Sequence, residues 1–382
     1  MDVRPWTFHV FRLQTELLEC IRAEIKKRGP QSFAWFMAQA LYHPEHGYYS
    51  TDRAAIGRRG DYFTNVSVGP LFGELLAAQF VEIWKRLGRI DNFLIVEQGA
   101  HHGQFARDVL ESTRRRSPEF FSGLRYQIVE PFSALQDRQS QALKEFGDRV
   151  LWRRSLDEIE PFVGIHFSNE LLDAMPVNLE GKLVGLDGDK LVFVEGPGGR
   201  PMNQAMLDWI DCLSTKLERG FVIAVDYGFS RAEFREVLQV RAKHRALDSP
   251  FDEIGEADIT AHVNWTDLAE RAEANGLRVA GFTDQHHFLT GIISEFGRGD
   301  SPEPPANASP ARTDWGQSPL PSDSKTKRAL QTLLHPEMLG RSFQVLALEK
   351  DVDLAEPLSG FKFARNPCQA LGLRVCNSRV ST

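Results

Sequence analysis

The chain has 382 residues, of which 42% are hydrophobic and 25% charged, a balance that suits a soluble globular protein and excludes a disordered or fibrous one. Its 45 basic and 52 acidic residues leave a net charge of −7, which argues against a nucleic-acid backbone as the main partner. Cys20, Cys212, Cys368 and Cys376 are scattered without paired C-x-x-C spacing, so no zinc cluster is expected and a reducing compartment fits. The N-terminal stretch lacks a basic segment followed by an apolar one, and Asp2, Glu16 and Glu19 break the basic face of a transit peptide. No apolar run reaches the ~20 residues that span a bilayer. The expectation is a soluble, cytoplasmic protein of bacterial type rather than a matrix protein, without membrane insertion.

In chain order, residues 1–70 read as a helical and loop-rich cap. A helix is predicted over 71–87, with Phe72, Leu76, Phe80, Ile83 and Leu87 on one face, opened by Pro70 and stopped by Gly88. There follow strand 93–97, helix 104–116, strand 125–130, helix 133–146 capped by Gly147, and strands 149–153, 164–168 and 221–226. Nearly continuous apolar strands alternating with helices predict a mostly parallel sheet covered on both faces. Residues 183–194 read as a hairpin around Asp187-Gly188, a small insertion near 178–195 beside that sheet. The strands at 278–284 and 342–350 flank a Pro- and Ser-rich mobile loop at 301–324 and suit an antiparallel terminal pair. Residues 351–382 form a tail.

The stretch IVEQGAHHGQF (95–105) is a strand, a glycine turn and a helix start. Ligands of open parallel sheets bind outside the carboxyl ends of the strands. Glu97 ends the first core strand, Gly99 allows the tight turn, and Gly103 lets the helix pack closely. Glu130, one strand–helix unit later, is placed to accept from two ribose hydroxyls. A dinucleotide fits poorly, since its pyrophosphate needs G-x-G-x-x-G, whereas this turn is E-x-G-x-x-x-G. A carboxylate before the turn suits a cationic amino-acid tail, as in S-adenosylmethionine.

The segments YHPEHGYYS (42–50), GRRGDYFT (57–64), LFGELLAA (71–78), IVEQGAHHGQFARDVL (95–110), YQIVEPF (126–132), SNELLDAMPV (168–177), VDYG (225–228), DITAHVNW (258–265) and GRSFQVLALEK (340–350) resemble, in order, those of the MidA-like methyltransferases. The resemblance covers most of residues 35–350 and omits 301–324 and the tail. It implies a Rossmann-like class I methyltransferase fold with a helical N-terminal cap. It also implies S-adenosylmethionine as cofactor and a protein arginine nitrogen as acceptor, the family including a mitochondrial complex I assembly factor that methylates a subunit of that complex. A protein substrate, such as a respiratory-complex subunit, and a homodimer are the partners it suggests. Two departures stand out: His101 and His102 replace a glycine and an arginine of the family turn E-L-G-P-G-R-G, and Glu236-Val237-Leu238 stands where Gly-Thr-Leu is common.

Glu97, Gly99, Ala100, Gly103, Glu130, Ser155, Leu156 and Asn169 are the expected cofactor residues: the turn for the methionine part, Glu130 for the ribose, Ser155-Leu156 beside the adenine. Glu170, Asp173 and Asp226, at strand ends facing the same crevice, are the expected catalytic carboxylates, although Glu170 and Asp173 could instead cap a following helix. Tyr227 and His262 are expected on the substrate side. No metal is expected. His101 and His102 are adjacent and should diverge, Pro44 opposes a helical H-x-x-H site at His43 and His46, and His286 and His287 read as packing or surface residues. The competing reading is a cofactor-binding assembly protein without turnover, favoured by His101 and the altered 236–238 segment.

Overall fold

The computed structural model describes residues 4–50, 64–198, 202–235, 238–243, 245–295, 323–353 and 355–373. The motif at 57–63, Glu236 and Val237, most of the 301–324 loop and the tail beyond 373 lie outside the described residues. The chain divides into two compact units: residues 1–67, 171–210 and 234–263, and residues 68–170, 211–233 and 264–382.

The second unit holds the large sheet. Its strands are β1 (Phe93–Gln98), β2 (Leu124–Val129), β3 (Val150–Arg153), β4 (Phe162–Asn169), β5 (Leu217–Phe229), β6 (Arg278–Asp284) and β7 (Phe343–Lys350). They lie in the order β3-β2-β1-β4-β5-β7-β6, with β1 to β5 parallel, β7 antiparallel to β5 and β6 antiparallel to β7. This is an α/β fold with an antiparallel strand inserted at one end of a parallel sheet. The order reverses between β1 and β4, so their carboxyl ends open a crevice there. β1, FLIVEQ, is buried except at its last residue, as expected of a strand covered on both faces.

Helix α1 (Leu71–Arg86) starts after Pro70, and Gly88, at φ 91°, ends it with the Gly88 and Arg89 amides returning to the Lys85 and Trp84 carbonyls. Helix α2 (Gln104–Arg116) packs Phe105 flat on Phe167 of β4, ring centres 4.3 Å apart, and tilted against Phe72 of α1. Helix α3 (Ser133–Leu143) is shorter than expected: the chain tightens into a 3-10 turn over Lys144–Arg149, and Gly147 takes φ 54° there instead of capping α3. β5 runs well past the expected 221–226, because β4 and β7 pair along both its sides.

The segment after 351 packs into this unit. Arg86 donates to the Glu356 and Pro357 carbonyls, Gln79 accepts from the Gly360 amide, and Phe361 fills the space beside Gly281 of β6. Cys368 there is disulfide-bonded, which the scattered cysteine spacing did not signal, while Cys20 and Cys212 are free. Among the described residues no helix is long and apolar enough to cross a membrane.

In the first unit, a helix over Arg4–Arg28 and one over Phe33–Tyr42, capped by Ser32, enclose a core of Leu17, Ile21, Phe36 and Met37 with Val184 and Ile259. The hairpin expected around Asp187-Gly188 forms from Lys182–Asp187 and Lys190–Glu195 and pairs antiparallel with Gln31–Ser32 in a small sheet separate from the large one. Its inward side chains, Val184 and Leu191, complete the core of the N-terminal helices, which fixes where it docks. A second small sheet joins Leu238–Ala242, Arg245–Ala246 and Asp258–Ala261. Its strands are too short and polar to stand out by periodicity.

β4 can approach β1 only because of Gly164, at φ 152°, where a β-carbon would lie 1.9 Å from the Leu94 carbonyl oxygen. Gly164→Ala should therefore destabilise the fold by about 4 kcal/mol or more, as backbone strain and overpacking combine. Urea denaturation checks this, and a loss under about 1 kcal/mol would mean that the strands relax at little cost.

Candidate active site

Behind β1 the chain turns through three left-handed residues: Gly99 at φ 83°, His101 at φ 46° and Gly103 at φ 76°. The Gly103 amide donates to the Ala100 carbonyl at 2.7 Å, and α2 begins at the next residue, so its free amides face the strand ends. A β-carbon on Gly103 would sit 3.3 Å from Leu143 Cδ1 and 3.5 Å from Gln139 Cα, so this glycine serves both the turn and the packing of α3. The two histidines do not diverge as expected. The left-handed backbone at His101 folds their rings together, centres 3.7 Å apart. His102 Nε2 lies 3.3 Å from an Arg138 nitrogen; since arginine only donates, His102 accepts and is neutral, consistent with burial lowering its pKa.

Glu97 and Glu130 are buried carboxyls at the ends of adjacent strands. The Tyr126 hydroxyl donates to Glu97 Oε2 at 2.6 Å. Glu130 Oε1 accepts from the Phe132 amide at 3.0 Å, and Oε2 from Gln139 Nε2 at 3.1 Å. Burial pushes both carboxyls up to about 7; their hydrogen bonds pull the other way, and Asp108 adds to the rise at Glu97. Asp108, in α2, is itself raised to about 6 by burial and accepts from Gln104. Asp108, Tyr126, Gln139 and Trp152 were missed from sequence. For Gln139 the signal was its place four residues before Leu143, on the buried face of α3.

At the other strand ends, Ser155 and the buried Leu156 follow β3, the Ser155 carbonyl accepting from the Glu158 amide. Asn169, the last residue of β4, donates to Glu170 Oε1 at 2.8 Å. Glu170 takes φ 54°, and its amide donates to the Val225 carbonyl of β5. Turns follow it, so Glu170 and Asp173 do not cap a helix. Asp226, almost fully buried on β5, accepts from the Tyr227 amide, and the Tyr227 ring packs on Phe343 at 4.1 Å. The second unit thus carries all the expected cofactor residues with Glu170, Asp226 and Tyr227. Asp173 and His262 belong to the first unit, where the Asp173 carbonyl accepts from the Ala261 amide and His262 lies 3.3 Å from Gln239. Of the remaining histidines, His43 and His46 stack at 5.0 Å, and His287 meets Asp284 at 2.7 Å. Among the described residues no group of three or more His, Cys, Asp or Glu could hold a metal ion.

The family model described as "Putative S-adenosyl-L-methionine-dependent methyltransferase" matches residues 75–182 and 202–283. The chain belongs to this family. It is 26% identical over 334 residues to the mitochondrial protein arginine methyltransferase NDUFAF7 homolog of Drosophila melanogaster, covering 73% of this chain and 75% of that one. It is 26% identical over 327 residues to NDUFAF7 of Homo sapiens, covering 72% and 73%. A Burkholderia thailandensis protein solved with S-adenosyl-homocysteine bound superposes with a TM-score of 0.79 at 25% identity, covering 94% of this chain and 98% of that one. The protein is an S-adenosylmethionine-dependent methyltransferase, and its residues fit the cofactor. The left-handed turn offers α2 amides, and each Glu130 oxygen, which accepts one bond from the described residues, has capacity for a further donor such as a ribose hydroxyl.

Because both carboxyls are raised above their ordinary 4.5, the folded chain holds more protons than the unfolded one between about pH 4.5 and 7. Their contribution to stability is full below that window and lost as pH rises through about 7. At Glu97 the loss is on the order of 3 kcal/mol at about pH 8. Glu97→Gln should raise the melting temperature of the ligand-free protein at about pH 8 and flatten its fall from about pH 5. Identical pH slopes in parent and variant would clear Glu97 of this role.

Proposed function

We propose that the protein transfers the methyl group to a guanidino nitrogen of a protein arginine. The observation that carries this reading is the Asn169–Glu170 pair, a carboxylate steadied by its neighbour's amide at the carboxyl end of β4. The names of the NDUFAF7 relatives as protein arginine methyltransferases support it.

In this reading Glu97 faces the ammonium of the methionine part, the turn Gly99-Ala100-Gly103 encloses that part, Glu130 accepts from the ribose, and Ser155 and Leu156 border the adenine. Bound S-adenosylmethionine supplies a methyl group on a positive sulfur, open to in-line displacement. The remaining difficulty lies with the acceptor, because a guanidinium has a pKa above ~12 and a delocalised lone pair. The Glu170 carboxylate accepts two of its N–H bonds, orients the plane and draws positive charge toward the far nitrogens. As the nitrogen–carbon bond forms and the sulfur–carbon bond breaks, the guanidinium proton passes to a carboxylate, for which Asp226 is the nearest strand-end candidate. Holding the acceptor in this geometry accounts for much of the rate. Tyr227 borders the acceptor side. His101, a non-glycine residue at φ 46° in the turn, favours the second reading, cofactor retention without turnover. Product formation with a cell extract separates the two, and mass spectrometry of methylated arginines in wild-type and deletion cells, beginning with respiratory-complex subunits, identifies the acceptor.

Glu170→Gln keeps size and one acceptor oxygen while removing charge. Turnover should fall at least about a hundredfold, ~2.7 kcal/mol, with cofactor affinity and melting temperature little changed. Retained turnover would reduce Glu170 to a residue that shapes the turn.

A further inference from the structure

We propose that Gln139 is a positioning residue that sets the Glu130 carboxylate and the glycine turn for the cofactor's ribose, and thereby the preference for a ribose over a deoxyribose. The inference rests on the reading of Glu130 as the ribose acceptor.

Gln139 is fully buried in α3 and touches three parts of the crevice. Its Nε2 donates to the His101 carbonyl at 2.7 Å and to Glu130 Oε2 at 3.1 Å, while its Oε1 accepts from Trp152 Nε1 at 2.9 Å. Both amide protons and one oxygen lone pair are therefore used, by the turn after β1, the end of β2 and the body of β3 respectively. The orientation of the amide is unambiguous. A tryptophan indole only donates, whereas a carbonyl and an ionised carboxylate only accept, so a flipped amide would lose all three bonds. Gln136, one turn earlier in α3, donates to the Glu130 carbonyl at 2.6 Å, so the same helix holds both ends of that residue.

The arrangement constrains what Glu130 can still do. Gln139 uses one position on Oε2 and the Phe132 amide one on Oε1. Each oxygen is left with capacity for one further donor, the number that a cis-diol supplies. Gln139 brings no charge, so it orients the carboxylate without neutralising it. A lysine or arginine in its place would hold Glu130 more strongly and compete with the ligand. The bond to the His101 carbonyl couples this carboxylate to the left-handed turn, where a β-carbon added to Gly103 would lie 3.5 Å from Gln139 Cα and Cγ.

The test is calorimetric titration with S-adenosylhomocysteine and with its 2′-deoxyribose analogue, using the full chain. The parent should prefer the ribose compound by about tenfold or more. Gln139→Leu and Gln139→Glu should each bind the ribose compound about tenfold less tightly, bind the deoxy analogue nearly as the parent does, and so lose the preference. A residue that only supports the fold would weaken both ligands alike, and that outcome overturns the proposal. Gln139→Glu matches glutamine in shape and carries no donor when ionised, so it decides by the same ratio if the leucine variant does not fold. Glu130→Gln separates the two levels of inference. A ribose preference retained in Glu130→Gln would sink the reading of Glu130 itself, whereas its loss there and retention in both Gln139 variants would sink only the role of Gln139.

Discussion

Two carboxyls are buried at the crevice end of the sheet with no cation among the described residues to pair them, and the neighbouring structure is arranged around that constraint. Among the described residues neither Glu97 nor Glu130 has an ion-pair partner; each is held by neutral donors, a phenol, a backbone amide and a side-chain amide. Such donors offset part of the desolvation penalty and leave both groups raised to about 7. A basic side chain would stabilise each carboxylate further, but it would occupy the charge and the lone pairs that a cationic tail and ribose hydroxyls require. The unliganded site is thus costly to the fold in the form that suits the ligand. Adjacent sites of this kind are where binding and stability are set against each other.

The turn between β1 and α2 meets the same constraint through its backbone. Left-handed residues at 99, 101 and 103 let the chain reverse within a few residues and bring the first amides of α2 to the strand ends. That reversal needs α2 to come close to α1 and to α3, which Gly73 against Asp108 and Gly103 against Leu143 respectively permit. Phe105, two residues into the helix, then locks it onto β4 through the flat contact with Phe167. A glycine at 101 would adopt the observed φ more readily than histidine; the ring of His102 and the bond from Gln139 to the His101 carbonyl are the compensations visible around it.

The first unit has its own polar centre. Tyr49 donates to Asp258 at 2.7 Å, and Tyr42 to the Ala174 carbonyl at 2.9 Å, within a shell of buried aromatic and aliphatic side chains. Burial first, then the negative charges of Asp258 and Asp173, keeps the Tyr49 phenol protonated. The unit is assembled from three stretches of chain, and the hairpin between 182 and 195 belongs to it because its apolar face has partners in the N-terminal helices.

The parallel strands, the helices between them and the glycine turn were legible in the sequence, because continuous apolar runs, 3.6-residue periodicity and glycine spacing are local properties of the chain. So was the placement of Glu97, Glu130 and Glu170 at strand ends, which follows from where each apolar run stops. The partners of those carboxyls were not legible. Tyr126 lies twenty-nine residues from Glu97 and Gln139 nine from Glu130, and only the register of β1 on β2 and the close packing of α3 bring them within hydrogen-bond distance. Nor could periodicity show that Glu170 precedes turns rather than a helix, that His101 and His102 stack, or which sheet the hairpin joins. An edge with an apolar face fits several neighbours, and the choice rests on side chains far away in sequence. The sequence by itself determined the fold class and the line of strand ends along which a ligand could bind; tertiary packing decided which neutral donors hold the buried carboxyls there, since donor geometry exists only once separate elements meet.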